Sequence, residues 1–178
     1  MEQVKSIKTD GNIFGIALNY KCLYESLKAA FNEKPYVNEP IKPVLFIKTP
    51  NTRNMDQGIV TKPKHTRLQA GPSLGVVIGK RASRVQQENA DEYIAGYVVV
   101  NELSLPEDSY YRPAIKAKCQ DGFCAIGQVV AKDQVHNLNQ LKLRVLLNGE
   151  LRQEGTTENW IRTPAQLIAE LSDYMTLN

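Results

Sequence analysis

Gly71-Pro72-Ser73-Leu74-Gly75 has the G-x-S-x-G spacing that, on a strained strand-to-helix turn, exposes a serine nucleophile for acyl transfer. Its surroundings predict something plainer. Val76-Val77-Ile78 has strand character and the preceding residues are loop-like, so Ser73 belongs to a loop-to-strand turn; His136, in the right chain order for a triad, falls in a polar stretch that reads as solvated surface. Gly75 and Gly79-Lys80 approach a phosphate loop, but only three residues separate the glycines and Arg81 stands where a Ser or Thr would hold magnesium. Cys119 and Cys124 lack a second pair, which favours small, partly buried side chains over metal ligands. In Tyr110-Tyr111-Arg112-Pro113, followed by Lys116 and Lys118, aromatic and basic residues gather near the expected end of a strand. They could meet an anion or form a solvated basic edge.

Short segments must position these residues. Phe14 to Leu18 and Val44 to Lys48 are apolar runs of strand length, separated by Tyr20 to Phe31, where Leu23, Leu27, Ala30 and Phe31 recur at helical spacing. A polar, basic excursion over residues 51–69 holds at most a weak strand at Gly58 to Thr61. Leu74 to Gly79 reads as a buried strand. Ser83-Arg84-Val85-Gln86 has the spacing of a capping box opening a helix that would close at Gly96, with Tyr97 to Asn101 as the next strand. Leu141 to Leu147 alternates before Asn148-Gly149, a strong hairpin signal, and the second arm begins at Glu150. Thr163-Pro164-Ala165-Gln166 combines an N-cap, a first-turn proline and a capping-box glutamine, with Leu167, Ile168, Leu171, Tyr174 and Met175 as the apolar face. The pattern predicts one α+β domain over residues 1–178, mainly β, with helices at its periphery.

Composition narrows the chemistry. Twenty-two basic against 19 acidic residues leave a net charge of +3, too small a surplus for nucleic acid but compatible with a small anionic ligand. Two histidines and three cysteines offer little for nitrogen- and sulfur-ligated metals, so a metal would need oxygen ligands. The charged N-terminal decapeptide predicts no signal peptide, the odd cysteine count predicts a reducing, cytoplasmic setting, and no apolar run approaches a membrane span.

Read in order, Leu18-Asn19-Tyr20, Pro43 to Lys48, Val76 to Lys80, Glu92 to Tyr97, Asn101, Lys118 to Gly127 and Val145 to Gln153 resemble the fumarylacetoacetate hydrolase family over nearly the whole chain. Tyr111 to Cys119 and Asp121 to Cys124 resemble the N-terminal half of those members that join two copies of the fold, or make them as two subunits. These act on unsaturated 2-oxo acids of 4-hydroxyphenylacetate breakdown, decarboxylating 5-oxopent-3-ene-1,2,5-tricarboxylate and isomerising 2-hydroxyhepta-2,4-diene-1,7-dioate. The resemblance implies a mixed β-roll or barrel with flanking helices, and a site for magnesium or manganese that chelates a 2-oxo acid and stabilises its enolate. It also implies Lys118 as the catalytic lysine, Lys48 and Arg112 as partners of the substrate's carboxylates, and assembly into homo-oligomers or with an intact family copy.

The same alignment predicts departures. The family's Glu-x-Glu and Asp metal ligands fall on Gly71, Ser73 and Glu102, leaving one carboxylate of three. The lid's His and Glu fall on Leu23 and Ser26, with Glu25 adjacent, and a site arginine falls on Pro106. The expectation is a degenerate copy that does not hold the cation. The family's segments beyond Asn178 are also missing, so the last strands of the barrel are expected to be absent.

Overall fold

A computed structural model describes residues 11–178; the decapeptide read as too charged for a signal peptide lies outside the described residues. In chain order, β1 (Ile13–Ala17) leads through Leu18, at φ 59°, to α1 (Lys21–Ser26), and β2 (Val44–Lys48) returns antiparallel to β1 with Ile13 opposite Lys48. The helical spacing of Tyr20 to Phe31 yields α1 and a separate 3-10 turn at Ala30–Asn32, with Phe31 fully buried.

The central sheet has the order β3 (Arg53–Met55), β6 (Cys124–Ala131), β5 (Ile94–Glu102), β4 (Pro72–Ile78). Only the β3–β6 pairing is parallel. The polar excursion does hold a short strand, but at β3; Gly58 to Thr61 is loop. Between β5 and β6 lies α2 (Ile115–Lys118). The Asn148-Gly149 hairpin forms as its turn chemistry dictates, with both residues at positive φ joining β7 (Lys142–Leu147) to β8 (Glu150–Thr156).

The final helix, α3 (Pro164–Ser172), begins with the expected reciprocal capping box between Thr163 and Gln166. It ends before Tyr174, which is exposed, whereas Met175 packs against the core. Ile168 and Leu171 join Ala82, Val85, Ala90, Ile94, Tyr97 and Leu177 in one buried cluster.

The helix expected to open at Ser83 does not form. Residues Gln87–Tyr93 are 3-10 turns, and β5 has already started at Ile94, ahead of Gly96. The cause is tertiary. Arg84 sits at φ 52°, its amide donates to Ser172 O (2.8 Å), and the Val85 amide donates to Ser172 Oγ (2.9 Å). Held at that left-handed φ by its bond to the C-terminal helix, Arg84 cannot take the helical conformation that a first turn after Ser83 requires.

Candidate active site

Four element ends converge on one carboxylate. β2 ends at Lys48, β5 at Glu102 and α2 at Lys118, while β6 begins at Cys124. The Lys48 ammonium is 2.7 Å from Glu102 Oε1 and donates to the carbonyls of Lys118 (2.6 Å), Leu103 (2.7 Å) and Phe123 (3.0 Å). Burial pulls Lys48 below the usual lysine range and Glu102 pulls it back. All four neighbours within 3.0 Å are acceptors that cannot donate, so the group is charged, and its three N–H bonds are fully engaged.

Lys118 faces the other carboxylate oxygen, with Nζ 3.1 Å from Glu102 Oε2 and 3.5 Å from Glu107 Oε1. The Phe46 ring lies beneath, its centroid 4.3 Å from the ammonium. Phe46 can lie there because Gly15, its register partner on β1, has no side chain: a Cβ on Gly15 would fall 2.0 Å from the ring. Glu107 was invisible to sequence reasoning. Burial pushes its carboxyl up, against the pull of Lys118, and its Oε2 is buried with no partner among the described residues. The nearest available signal was an acid five residues beyond Glu102 on a turn leading back to α2.

The expected ligand positions do come together. The Glu102 amide donates to Gly71 O (2.9 Å), and Ser73 shares with Glu102, Lys48 and Cys124 the wall of a cavity of about 480 Å³. Burial pushes the Cys124 thiol up. Much of the remaining wall is apolar, including Phe14, Phe46, Leu74, Val76, Trp160 and Leu171. The donor set does not fit a hard divalent cation, which needs about six oxygens, several of them anionic. It offers one carboxylate, already held by two ammonium groups, and a serine hydroxyl; among the described residues no three His, Cys, Asp or Glu side chains are grouped to hold a metal. The strand pair has also closed over position 71, since a Cβ there would lie 2.3 Å from Glu102 O and 3.0 Å from Glu102 Oε2.

Arg112 is not part of this cluster. It is exposed and lines a separate cavity of about 350 Å³ with Glu107, Asp108 and Lys116, so Lys118 stands between Glu102 on one cavity wall and Glu107 on the other. Leu23, Ser26 and Glu25 are all exposed on α1. Asn19 serves as a clasp: its side chain donates to Arg162 O and accepts from Arg162 N, both at 3.0 Å. Cys119 is half-buried, Cys124 is buried and His136 is exposed, as their contexts predicted.

Residues 12–178 match the family model described as fumarylacetoacetate (FAA) hydrolase C-terminal, and the chain belongs to that family. Among its relatives, the 4-hydroxyphenylacetate degradation bifunctional isomerase/decarboxylase of Escherichia coli is 41% identical over 168 residues, covering 94% of this chain and 38% of that protein. The chain thus spans well under half the length of that relative. A fumarylacetoacetate hydrolase family structure from Yersinia pestis superposes with a TM-score of 0.76 at 26% identity, covering 93% of this chain and 76% of the other. Fumarylpyruvate hydrolase from Pseudomonas aeruginosa, solved with Mn2+ and pyruvate, has the same fold, with a TM-score of 0.74 at 19% identity over 94% of this chain and 73% of its own. No helix among the described residues is long and apolar enough to cross a membrane.

Proposed function

We propose that this chain is one copy, of the N-terminal type, in a paired decarboxylase/isomerase acting on unsaturated 2-oxo di- and tricarboxylates of 4-hydroxyphenylacetate breakdown. It does not hold the family's cation, and an intact family copy carries the chemistry. The observation behind this reading is the closed Lys48–Glu102–Lys118 cluster, with Gly71 and Ser73 where two carboxylates would stand. With those two carboxylates replaced, one carboxylate and a hydroxyl remain, too few anionic oxygens for a hard divalent cation. The 41% identity to a two-function relative of more than twice this length supports the pairing, and the N-terminal type rests on Tyr111 to Cys119 and Asp121 to Cys124. The reading places the protein in the cytoplasm.

A second reading has the chain turning over substrate alone, with Lys118 moving the proton and Lys48 and Arg112 holding carboxylates. The engaged N–H groups of Lys48 and the exposed position of Arg112 in the other cavity weigh against it. A third reading, a binding module without chemistry, draws on the largely apolar cavity wall. The test is decarboxylation and isomerisation by the purified chain with Mg2+ or Mn2+, alone and mixed with an intact family copy. The paired reading expects no turnover alone and co-purification of the two. Retention of one equivalent of metal, or turnover by the single chain, overturns it; failure to bind any family copy leaves the binding module.

A further inference from the structure

We propose that the cavity walled by β1 and β4 is a slot for one extended strand of another polypeptide, bonded through its main chain to the edges of both, and that the family copy with which this chain pairs donates the strand. The donor's identity rests on the paired reading above; the slot itself does not.

Two strand edges meet this cavity without a neighbour. β1 pairs only with β2, β4 is the outermost strand of the central sheet and pairs only with β5, and the β7–β8 hairpin pairs with itself alone. Among the described residues, the backbone groups of Ile13–Ala17 and Pro72–Ile78 that face away from β2 and β5 have no backbone partner. The cavity wall contains the unbroken runs Asn12 to Ile16 and Ser73 to Val76. Successive side chains of a strand point to opposite faces, so a cavity resting on one face would touch every second residue; unbroken runs place it along the edges.

The chemistry of the wall selects the occupant. Rows of donors and acceptors on two sides are matched by a main chain, which carries the same groups along both of its edges, and by no apolar small molecule. A segment of five to seven residues equals the lengths of β1 and β4. For its side chains the wall offers Leu167, Ile168 and Leu171 of α3, and also Ser73, Lys48 and Glu102, which suits an alternation of apolar and polar residues. Paired on both sides, the strand joins β1 and β2 to the central sheet and covers two edges that otherwise invite association. The Escherichia coli relative, of which this chain covers 38%, has chain enough beyond the matched residues to hold such a segment.

The first probe is a fluorescent heptapeptide of alternating valine and threonine, compared with two peptides of the same sequence N-methylated at alternate residues, one along each edge. The methyl groups remove donors and leave the side chains unchanged. The unmodified peptide should bind and should slow amide hydrogen exchange in β1 and β4 together. Each methylated peptide should bind at least about tenfold more weakly, since each loses several hydrogen bonds. Failure of the unmodified peptide to bind at millimolar concentration, equal binding of the methylated peptides, or protection of one strand alone overturns the slot. The second probe is an intact family copy mixed with the full chain. Protection of β1 and β4 supports the donated strand. Binding that leaves both unprotected overturns the proposal and keeps the paired reading, whereas absence of binding overturns the paired reading together with the donor named here.

Discussion

Lys48 and Glu102 meet at 2.7 Å with side-chain exposures of 1% and 12%, and the pair holds the ends of β2 and β5 at a fixed separation. Because Lys48 also donates to three carbonyls, it ties α2 and the start of β6 into the same knot. Lys48→Met would leave three carbonyls and one oxygen of a buried carboxylate without that donor. Breaking one side of a buried pair costs about 3–5 kcal/mol, and a loss in that range is expected in urea unfolding. Lys48→Met combined with Glu102→Leu should cost less than the sum of the single variants, since neither charge is then stranded. Additive losses would mean that the two residues stabilise the fold independently.

Gly15 gives a second test, one that reaches the cluster from outside. Alanine there places its Cβ about where the Phe46 ring lies, so the ring must leave its position under Lys118. Gly15→Ala should destabilise by about 1–3 kcal/mol, as overpacking does. Adding Phe46→Leu should recover part of the loss, because a smaller side chain makes room for the methyl. An unchanged unfolding midpoint in Gly15→Ala would show that the ring is free to move at no cost.

Local chemistry was legible in the sequence, and tertiary chemistry was not. The Asn148-Gly149 turn and the Thr163–Gln166 box depend on residues at most three apart, and both formed as read. The Ser83–Gln86 spacing looked just as local, yet Ser172, far along the chain, binds the Arg84 and Val85 amides and Arg84 sits at φ 52°, outside the helical region. Gly71, Ser73 and Glu102 were brought together by an alignment of separate segments, and strand pairing places Gly71 against Glu102. Spacing alone made Arg112 and Lys118 neighbouring cations, and the resemblance gave both to one site, Lys118 as catalytic and Arg112 as a carboxylate partner. The turn into α2 sends one to the surface and the other to Glu102, a distinction that charge spacing does not carry.

Asn19 tests the clasp between the end of β1 and the entry to α3. Asn19→Ala removes two side-chain hydrogen bonds to the Arg162 backbone while the bond from Ile161 N to Asn19 O (2.9 Å) can persist. A loss of about 1–3 kcal/mol is expected for partly buried backbone groups left unpaired. Asn19→Asp keeps the acceptor for Arg162 N and turns a second oxygen toward Arg162 O, so it should be no better than alanine. Full stability of the aspartate variant would rule out the donor role of Nδ2.

Glu107 supplies the pH dependence. Its carboxyl is raised above the ordinary value of 4.5 by burial, against the pull of Lys118, so between that value and its folded one the native state binds more protons than the unfolded chain. By linkage, its contribution to stability declines as pH rises through that window and stays low at neutral pH. The groups facing it are Lys118, Glu102, Lys48 and Tyr110, and all of them persist in Glu107→Gln. The variant should therefore be more stable than the parent at neutral pH, because an amide can be buried without charge. The difference should shrink as pH falls through the raised folded value, below which the parent's carboxyl is neutral as well. Midpoints of thermal unfolding across that range decide the matter: a Glu107→Gln protein less stable than the parent at neutral pH would mean that the ion pair with Lys118 outweighs the burial of the charge.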